Sequence, residues 1–373
     1  MSTQLLLQNT SENIAVSELP NMNVRELRNI VTKYKIGDPA FRSYSTKNEL
    51  IKAIEEHFPN GKINLNLNLN TSPVEQPETI QSPEVASKDL LPGMFIPKID
   101  ESFVLSESIR SYLSALNRMS KKNSDIMNTL LVGPQGCGKT SVAYHYAAKI
   151  NLPLLKMNCP LVREPRDWFG AKRADNGSVY WDKALFAEAT ARGNVVICLD
   201  EITRATPNVL NSLLPLLDWT RESYVEEAKE KLKVGPNTYF FATANIGSQF
   251  TGTFKLDSAL ADRFGAIIEC GFLPENDEKL LLVQRTGVAE STAANLVKVA
   301  NMVRKENNTS GKLTETISTR VLLDVAQLYN NLKEQAFLFT ILPKFSNDGG
   351  KQSERAMVMG FIQAQFPGIK NVL

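Results

Sequence analysis

Residues 133–140 read Gly-Pro-Gln-Gly-Cys-Gly-Lys-Thr, and this run constrains the fold more than any other part of the chain. It fits the spacing G-x-x-x-x-G-K-[ST], which has physical meaning only between a strand and a helix. Both flanks supply them. "NTLLVG" before the loop is a short apolar strand, and "TSVAYHYAAKI" after it offers Val142, Ala143, Tyr146, Ala147 and Ile150 for packing one helix face. Glycines let backbone N–H groups turn inward and hold phosphate oxygens at the helix N-terminus. The spacing therefore predicts a phosphate cradle of Gly133, Pro134, Gln135, Gly136, Cys137, Gly138, Lys139, Thr140 and Ser141. Lys139 is expected to reach the β/γ-phosphates and the Thr140 hydroxyl to ligate Mg²⁺, so ATP and Mg²⁺ are the expected cofactors. Cys137 is either a plain small residue of the loop or a redox-sensitive one.

Two further strands point at the same site. Val195 to Leu199 is a β-branched run of the kind found in buried parallel strands, and it ends in Asp200-Glu201. Acidic groups at the C-terminal edge of an open α/β sheet lie where such sheets bind ligands. Asp200 is placed to hold Mg²⁺ and Glu201 to polarise an attacking water. "TYFFATAN" delivers Asn245 to that edge, where its amide can orient the water. Phosphoryl transfer asks the protein mainly for positioning and charge stabilisation, which this set provides.

In this order the motifs resemble those of the AAA+ ATPases, and within them the MoxR and cobaltochelatase small-subunit (CobS-like) group, also called dynein-related. The resemblance spans roughly residues 97–325. It is carried by "PKIDESFV", the cradle, "DEITRATPNVLNSLLPLLD", "FFATAN" and "LADRF". It implies an α/β fold: a P-loop NTPase parallel sheet flanked by helices, with a C-terminal helical lid. Asp200 and Glu201 take the Walker B roles, Asn245 becomes sensor 1, and Arg263 resembles the arginine finger that serves a neighbouring subunit. Arg320 of "STR" resembles sensor 2. Arg204 is an interface candidate or a structural arginine. The resemblance also implies a ring homo-oligomer of six subunits and a von Willebrand A-type protein partner.

"WFGAKRADNGSVYWDKALFAEA" carries Asp175-Asn176-Gly177, a strong hairpin-turn signal. In the resembled group a hairpin here faces the ring pore, which makes Lys172, Arg173, Tyr180 and Trp181 candidates for contacting a substrate. The alternative is that Tyr180 and Trp181 pack the hairpin onto its own domain, a choice that Phe250 and Phe254 raise as well. The charged segment 219–238 is longer than a simple hairpin, and its role is open.

The chain divides by composition. Residues 1–22 are polar and aperiodic, read as a flexible tail. Residues 23–60 read as two short helices, with Val24, Leu27, Ile30, Val31 and Tyr34 inward in the first and Leu50, Ile51, Ile54 and Phe58 in the second. Asn23 and either Ser45 or Thr46 are the expected caps. This module resembles SAP or helix-extended-loop-helix units, which bind DNA or protein. Its slight excess of basic residues is a weak footprint for nucleic acid. Residues 61–90 are Pro- and Asn-rich and read as a linker. Within them Ile63, Leu65, Leu67 and Leu69 alternate with asparagines, which suits either an edge strand added to another surface or a tether that happens to alternate. Residues 91–273 form the nucleotide-binding core and 274–373 the lid and C-terminal tail.

A net charge of +2 over 373 residues gives no reason to expect whole-surface binding to nucleic acid or membrane. Four cysteines without a CxxC pair and only two histidines leave little for a structural metal site and fit a reducing compartment. "MSTQLLLQNTSEN" lacks the features of a secretory signal, and the greasiest stretch, Ala336 to Leu342, is far short of the ~20 residues that span a bilayer. The expected location is the cytoplasm, with no membrane contact.

Overall fold

The computed structural model describes residues 13–15, 19, 27, 30–31, 36, 47–57, 62–64, 90–122, 126–175, 177–245 and 256–371. The chain forms two compact units, Met1–Thr79 and Ile80–Leu373.

In the first unit β1 (Asn13–Ala15) pairs antiparallel with β2 (Lys62–Asn64), Ile14 opposite Ile63. β1 lies within residues 1–22 and β2 within residues 61–90, where Ile63 begins the alternation that suits an edge strand. Ile63 stands between Lys62 and Asn64, which gives β2 the period of two that a strand needs. Helix α1 (Lys47–His57) buries Leu50 and Ile54, which join Leu19, Leu27, Ile30, Val31 and Ile36 in a small core. Ile51 is only partly buried. Val24, Tyr34, Phe58 and the expected caps fall outside the described residues.

The second unit contains, in chain order, α2 (Glu107–Lys122), β3 (Thr129–Gly133), α3 (Lys139–Lys149), β4 (Leu154–Asn158), a hairpin of β5 (Gly170–Asp175) and β6 (Ser178–Lys183), and α4 (Leu185–Arg192). Then follow β7 (Val195–Asp200), a second hairpin of β8 (Glu222–Val225) and β9 (Glu230–Lys233), β10 (Thr238–Asn245) and β11 (Ala266–Glu269). Five of the strands make one sheet in the order β11-β3-β10-β7-β4, and every pair is parallel. The expected α/β P-loop NTPase architecture is what the chain adopts.

Alternation along the strands divides the core between the sheet's faces. Leu130, Val132, Ile197, Leu199, Phe240 and Ala242 pack on one side with α4 residues such as Phe186. Leu131, Val196, Cys198, Tyr239 and Phe241 pack on the other with α2 and α3. Five consecutive residues of β7 are fully covered, the reason a parallel strand reads as an unbroken apolar run. In α3 the predicted positions Val142, Ala143, Tyr146, Ala147 and Ile150 are all buried.

Beyond the sheet lie α5 (Glu275–Thr286), α6 (Glu290–Ser310), α7 (Thr319–Leu332) and α8 (Glu354–Gln365). They share a separate apolar core into which Ala336, Phe337, Ile341 and Leu342 of the greasy stretch are packed. One buried polar cluster ties this lid together. Arg304 bonds both carboxylate oxygens of fully buried Glu278, at 2.7 and 2.9 Å, and Thr319 donates to the same carboxylate at 2.6 Å. A buried charge tolerates such a place only when it is paired and hydrogen-bonded, and here the pairing fixes where α7 begins. Among the described residues no helix is long and apolar enough to cross a membrane.

Candidate nucleotide site

Parallel register sets the site. Asn245 lies opposite Gly133 and Asn158 opposite Asp200, so the C-terminal ends of β3, β10, β7 and β4 meet along one edge. The cradle leaves β3 there and enters α3 through Gly138, whose φ of 94° is left-handed. Gly136 also has positive φ, and a Cβ on it would sit 2.6 Å from the Ser318 hydroxyl oxygen. The loop and the lid are thus in contact through a position only glycine can fill. Lys139 is buried, and its ammonium donates to the carbonyls of Gly133 (3.0 Å) and Pro134 (2.7 Å). Burial pushes the Lys139 pKa down against the opposing charge of Asp200 and Glu201.

Asp200 is the hub of the second half. Its Oδ1 accepts hydroxyl bonds from Thr140 and Thr243, each 2.8 Å, and its Oδ2 lies 2.7 Å from the Lys156 ammonium. Burial pushes the carboxyl pKa up, but these three donors outweigh it and hold Asp200 below its ordinary value. The next residue, Glu201, has φ 55° and ψ 47°. That left-handed turn redirects the chain at the strand end, and the Glu201 N–H donates to the Thr243 hydroxyl at 2.9 Å. Its carboxylate pairs with Arg204 at 3.3 Å.

Thr243 lies inside "FFATAN", which gives it no role, and Lys156 lies in no motif. Each stands two residues before a strand-end asparagine and so shares a sheet face with it, a signal that becomes legible only once strand order is known. Thr243 is 1% exposed and serves both acidic residues at once. Thr243→Val keeps the shape but leaves the Glu201 N–H without its acceptor. It is expected to cost about 1–3 kcal/mol, measurable by urea denaturation; a loss below ~0.5 kcal/mol would mean that water replaces the hydroxyl freely.

Between cradle and lid lies a cavity of about 330 Å³ lined by Phe103, Ile109, Phe272, Leu281 and Leu323, with Gly136 to Gly138 and Arg320 at its polar side. Ser318 caps α7 by accepting from the Val321 N–H at 3.4 Å, so Arg320 stands in the first turn of that helix. The Cys137 thiol donates to the Cys270 carbonyl at 3.2 Å. Burial pushes its pKa up, which favours the unreactive thiol over the thiolate.

Arg263 is elsewhere. Its guanidinium meets Asp218 at 3.0 Å and donates to the Ala259 carbonyl at 2.7 Å. The Asn128 amide, which precedes β3, donates to the Arg263 carbonyl at 2.9 Å. That is the N-terminal edge of the sheet, the length of β3 away from the cradle, or about 13 Å at ~3.3 Å per residue. The fold brings Lys139, Thr140, Asp200, Glu201, Asn245 and Arg320 to one side, and leaves Arg263 apart from its own chain's cradle.

Comparison with known proteins gives two domain matches: "AAA domain (dynein-related subfamily)" over residues 128–264 and "CbbQ/NirQ/NorQ C-terminal" over 278–353. "Putative chaperone BssE" of Thauera aromatica is 35% identical over 240 residues, covering 64% of this chain and 81% of that protein. The chain belongs to the dynein-related AAA+ ATPases. The denitrification regulatory protein NirQ of Pseudomonas aeruginosa is 30% identical over 53% of this chain and 75% of its own. Midasin of Giardia intestinalis is 27% identical over 66% of this chain but only 5% of its own length. The C-terminal match reaches past the span legible as AAA+ from motifs, and it assigns much of the lid to the CbbQ/NirQ/NorQ type.

In this AAA+ chain the predicted turn joins two paired strands, with Lys172 opposite Trp181 and Arg173 opposite Tyr180. The two aromatics part company. Trp181 packs against the core of its own domain, whereas Tyr180 is 51% and neighbouring Val179 69% exposed. Arg173 pairs with Asp182 at 3.2 Å. The segment 219–238 contains the β8–β9 hairpin with Leu232 buried, and its Arg221 turns inward to donate to the Ile126 and Thr238 carbonyls at 3.1 and 2.9 Å. Asn176, Phe250 and Phe254 lie outside the described residues.

Proposed function

We propose that this AAA+ protein hydrolyses Mg²⁺·ATP at the interfaces of a homo-oligomeric ring of six subunits and spends the energy on remodelling a protein partner. The observation that carries the reading is the convergence of Lys139, Thr140 and Asp200 at one sheet edge, with Thr140 and Asp200 sharing a 2.8 Å hydrogen bond. A hydroxyl and a carboxylate so placed are the hard oxygen donors Mg²⁺ takes, so the residues fit the ion. Bound there, Mg²⁺ would offset charge on the phosphate oxygens. The backbone N–H groups of residues 133–141 cradle the phosphates, and Lys139 exchanges its two carbonyl partners for phosphate oxygens. The adenine lies in the apolar cavity, and Arg320 approaches the phosphates from the lid. Glu201, released from Arg204, takes a proton from the water that attacks the γ-phosphorus, and Asn245 orients that water.

Arg263, remote from its own cradle, reaches the site of the neighbouring subunit and stabilises the transition-state charge there. Tyr180, with Lys172 and Arg173 beside it, is the hairpin element that touches the partner, while Trp181 anchors the hairpin. A protein client accords with the chaperone name that BssE carries, and a von Willebrand A-type fold is the client to which the family resemblance points.

The test is the steady-state ATPase rate across protein concentrations, with Mg²⁺ or with EDTA. A rate per subunit that rises with concentration and vanishes in EDTA is expected. A flat, concentration-independent rate would overturn the shared site. Adding single- or double-stranded DNA belongs to the same experiment: strong stimulation lost on deleting residues 1–60 would replace the protein client with nucleic acid.

A further inference from the structure

Lys156 is the third residue of β4, following two buried leucines, and it is not part of any nucleotide motif. Its ammonium lies 2.7 Å from Asp200 Oδ2, while the two threonine hydroxyls occupy Oδ1. The Asp200 side chain is only 13% exposed, the Lys156 side chain 39%. A carboxylate this covered is costly to leave ionised without a counter-charge. An ammonium supplies one and, on its flexible four-carbon stem, can also leave.

We propose that Lys156 is a positioning residue that stands in for the metal: it neutralises Asp200 in the nucleotide-free site and is displaced when Mg²⁺ arrives with ATP. This rests on the reading of Asp200 and Thr140 as the Mg²⁺ ligands. Lys156 and a divalent cation cannot share one largely covered carboxylate without repulsion, which in a partly screened protein environment remains sizeable at a few ångströms. The surrounding charges sharpen the effect. Asp200 and Glu201 face three cations, Lys156, Lys139 and Arg204, the last paired to Glu201. These charges by themselves disfavour a free divalent ion, and the phosphates must bring the negative charge that admits one. Lys156 raises the Mg²⁺ concentration the site needs and makes metal entry depend on nucleotide.

Mn²⁺, whose free and bound forms differ in their paramagnetic resonance signal, serves as the probe, titrated into the full chain with and without a non-hydrolysable ATP analogue. Lys156→Met and Lys156→Gln, which keep the stem and lose the charge, are expected to bind Mn²⁺ roughly three- to tenfold more tightly with analogue present. They should also show measurable binding without it. Lys156→Arg, which keeps the charge, is expected to behave as the wild type. Unchanged or weaker binding in both neutral variants would overturn the proposal, since a side chain that merely braced Asp200 would weaken the metal when lost. If the wild type with analogue takes up no Mn²⁺, or Asp200→Asn binds it equally well, the metal-site reading itself fails and this proposal with it.

Discussion

Lys139→Ala is expected to abolish ATP hydrolysis and to weaken binding of a non-hydrolysable analogue by about a hundredfold or more. The figure follows from two charge-assisted hydrogen bonds at ~1.5–3 kcal/mol each, with tenfold per ~1.4 kcal/mol. The side chain is buried at the loop and already engaged with the Gly133 and Pro134 carbonyls, so its ammonium is held where phosphate oxygens would arrive. Titration calorimetry reads the affinity and phosphate release the rate. Lys139→Met, which keeps the buried stem, separates loss of charge from loss of packing and should be as inactive. Affinity within threefold of wild type in both variants would remove Lys139 from the phosphates.

The second large effect belongs to Arg263→Ala. An arginine acting on transition-state charge is worth on the order of 10³-fold or more in rate, while analogue affinity should barely change. Stability should also change little. The Asp218 partner is 35% exposed and Arg263 26%, and partly exposed pairs contribute about 0–1 kcal/mol. Because Arg263 lies at the sheet edge opposite the cradle, the loss is expected to be complemented in trans. Lys139→Ala subunits lack a working cradle but keep the arginine, and Arg263→Ala subunits are the reverse. Mixing the two inactive proteins should restore about a quarter of wild-type activity, since that share of head-to-tail interfaces pairs a sound cradle with a sound arginine in a randomly mixed ring. No recovery, with exchange of subunits verified, would sink the trans assignment.

These two positions mark what was legible from sequence and what was not. Lys139 could be read with its expected role because the cradle is local: eight consecutive residues fix a turn, a helix start and a lysine, and no distant part of the chain is needed. The same holds for the Asp175–Gly177 turn, for the buried run of β7 and for the helix face of α3, where short-range periodicity dictates what is covered. Arg263 was legible only as a family resemblance. Its remoteness from its own cradle comes from β11 joining the sheet beside β3, an arrangement that no stretch of sequence contains.

What local sequence left open has one cause. β1 and β2 pair across some fifty residues, and no local stretch of sequence contains that pairing. Thr243 and Lys156 lie in strands read correctly as strands, but their partner Asp200 belongs to another strand, and the contact exists only because β7 lies between β10 and β4. Trp181 and Tyr180 are adjacent and chemically alike, and opposite faces of one strand sent the first into the core and the second toward solvent. By itself the sequence determined the glycine-rich loop between strand and helix and the strand-and-helix alternation, because these rest on neighbours within a few residues. The tertiary structure decided which charge offsets Asp200, which aromatic is exposed and which edge carries Arg263, because hydrogen bonds and burial act between strands adjacent in space and distant in the chain.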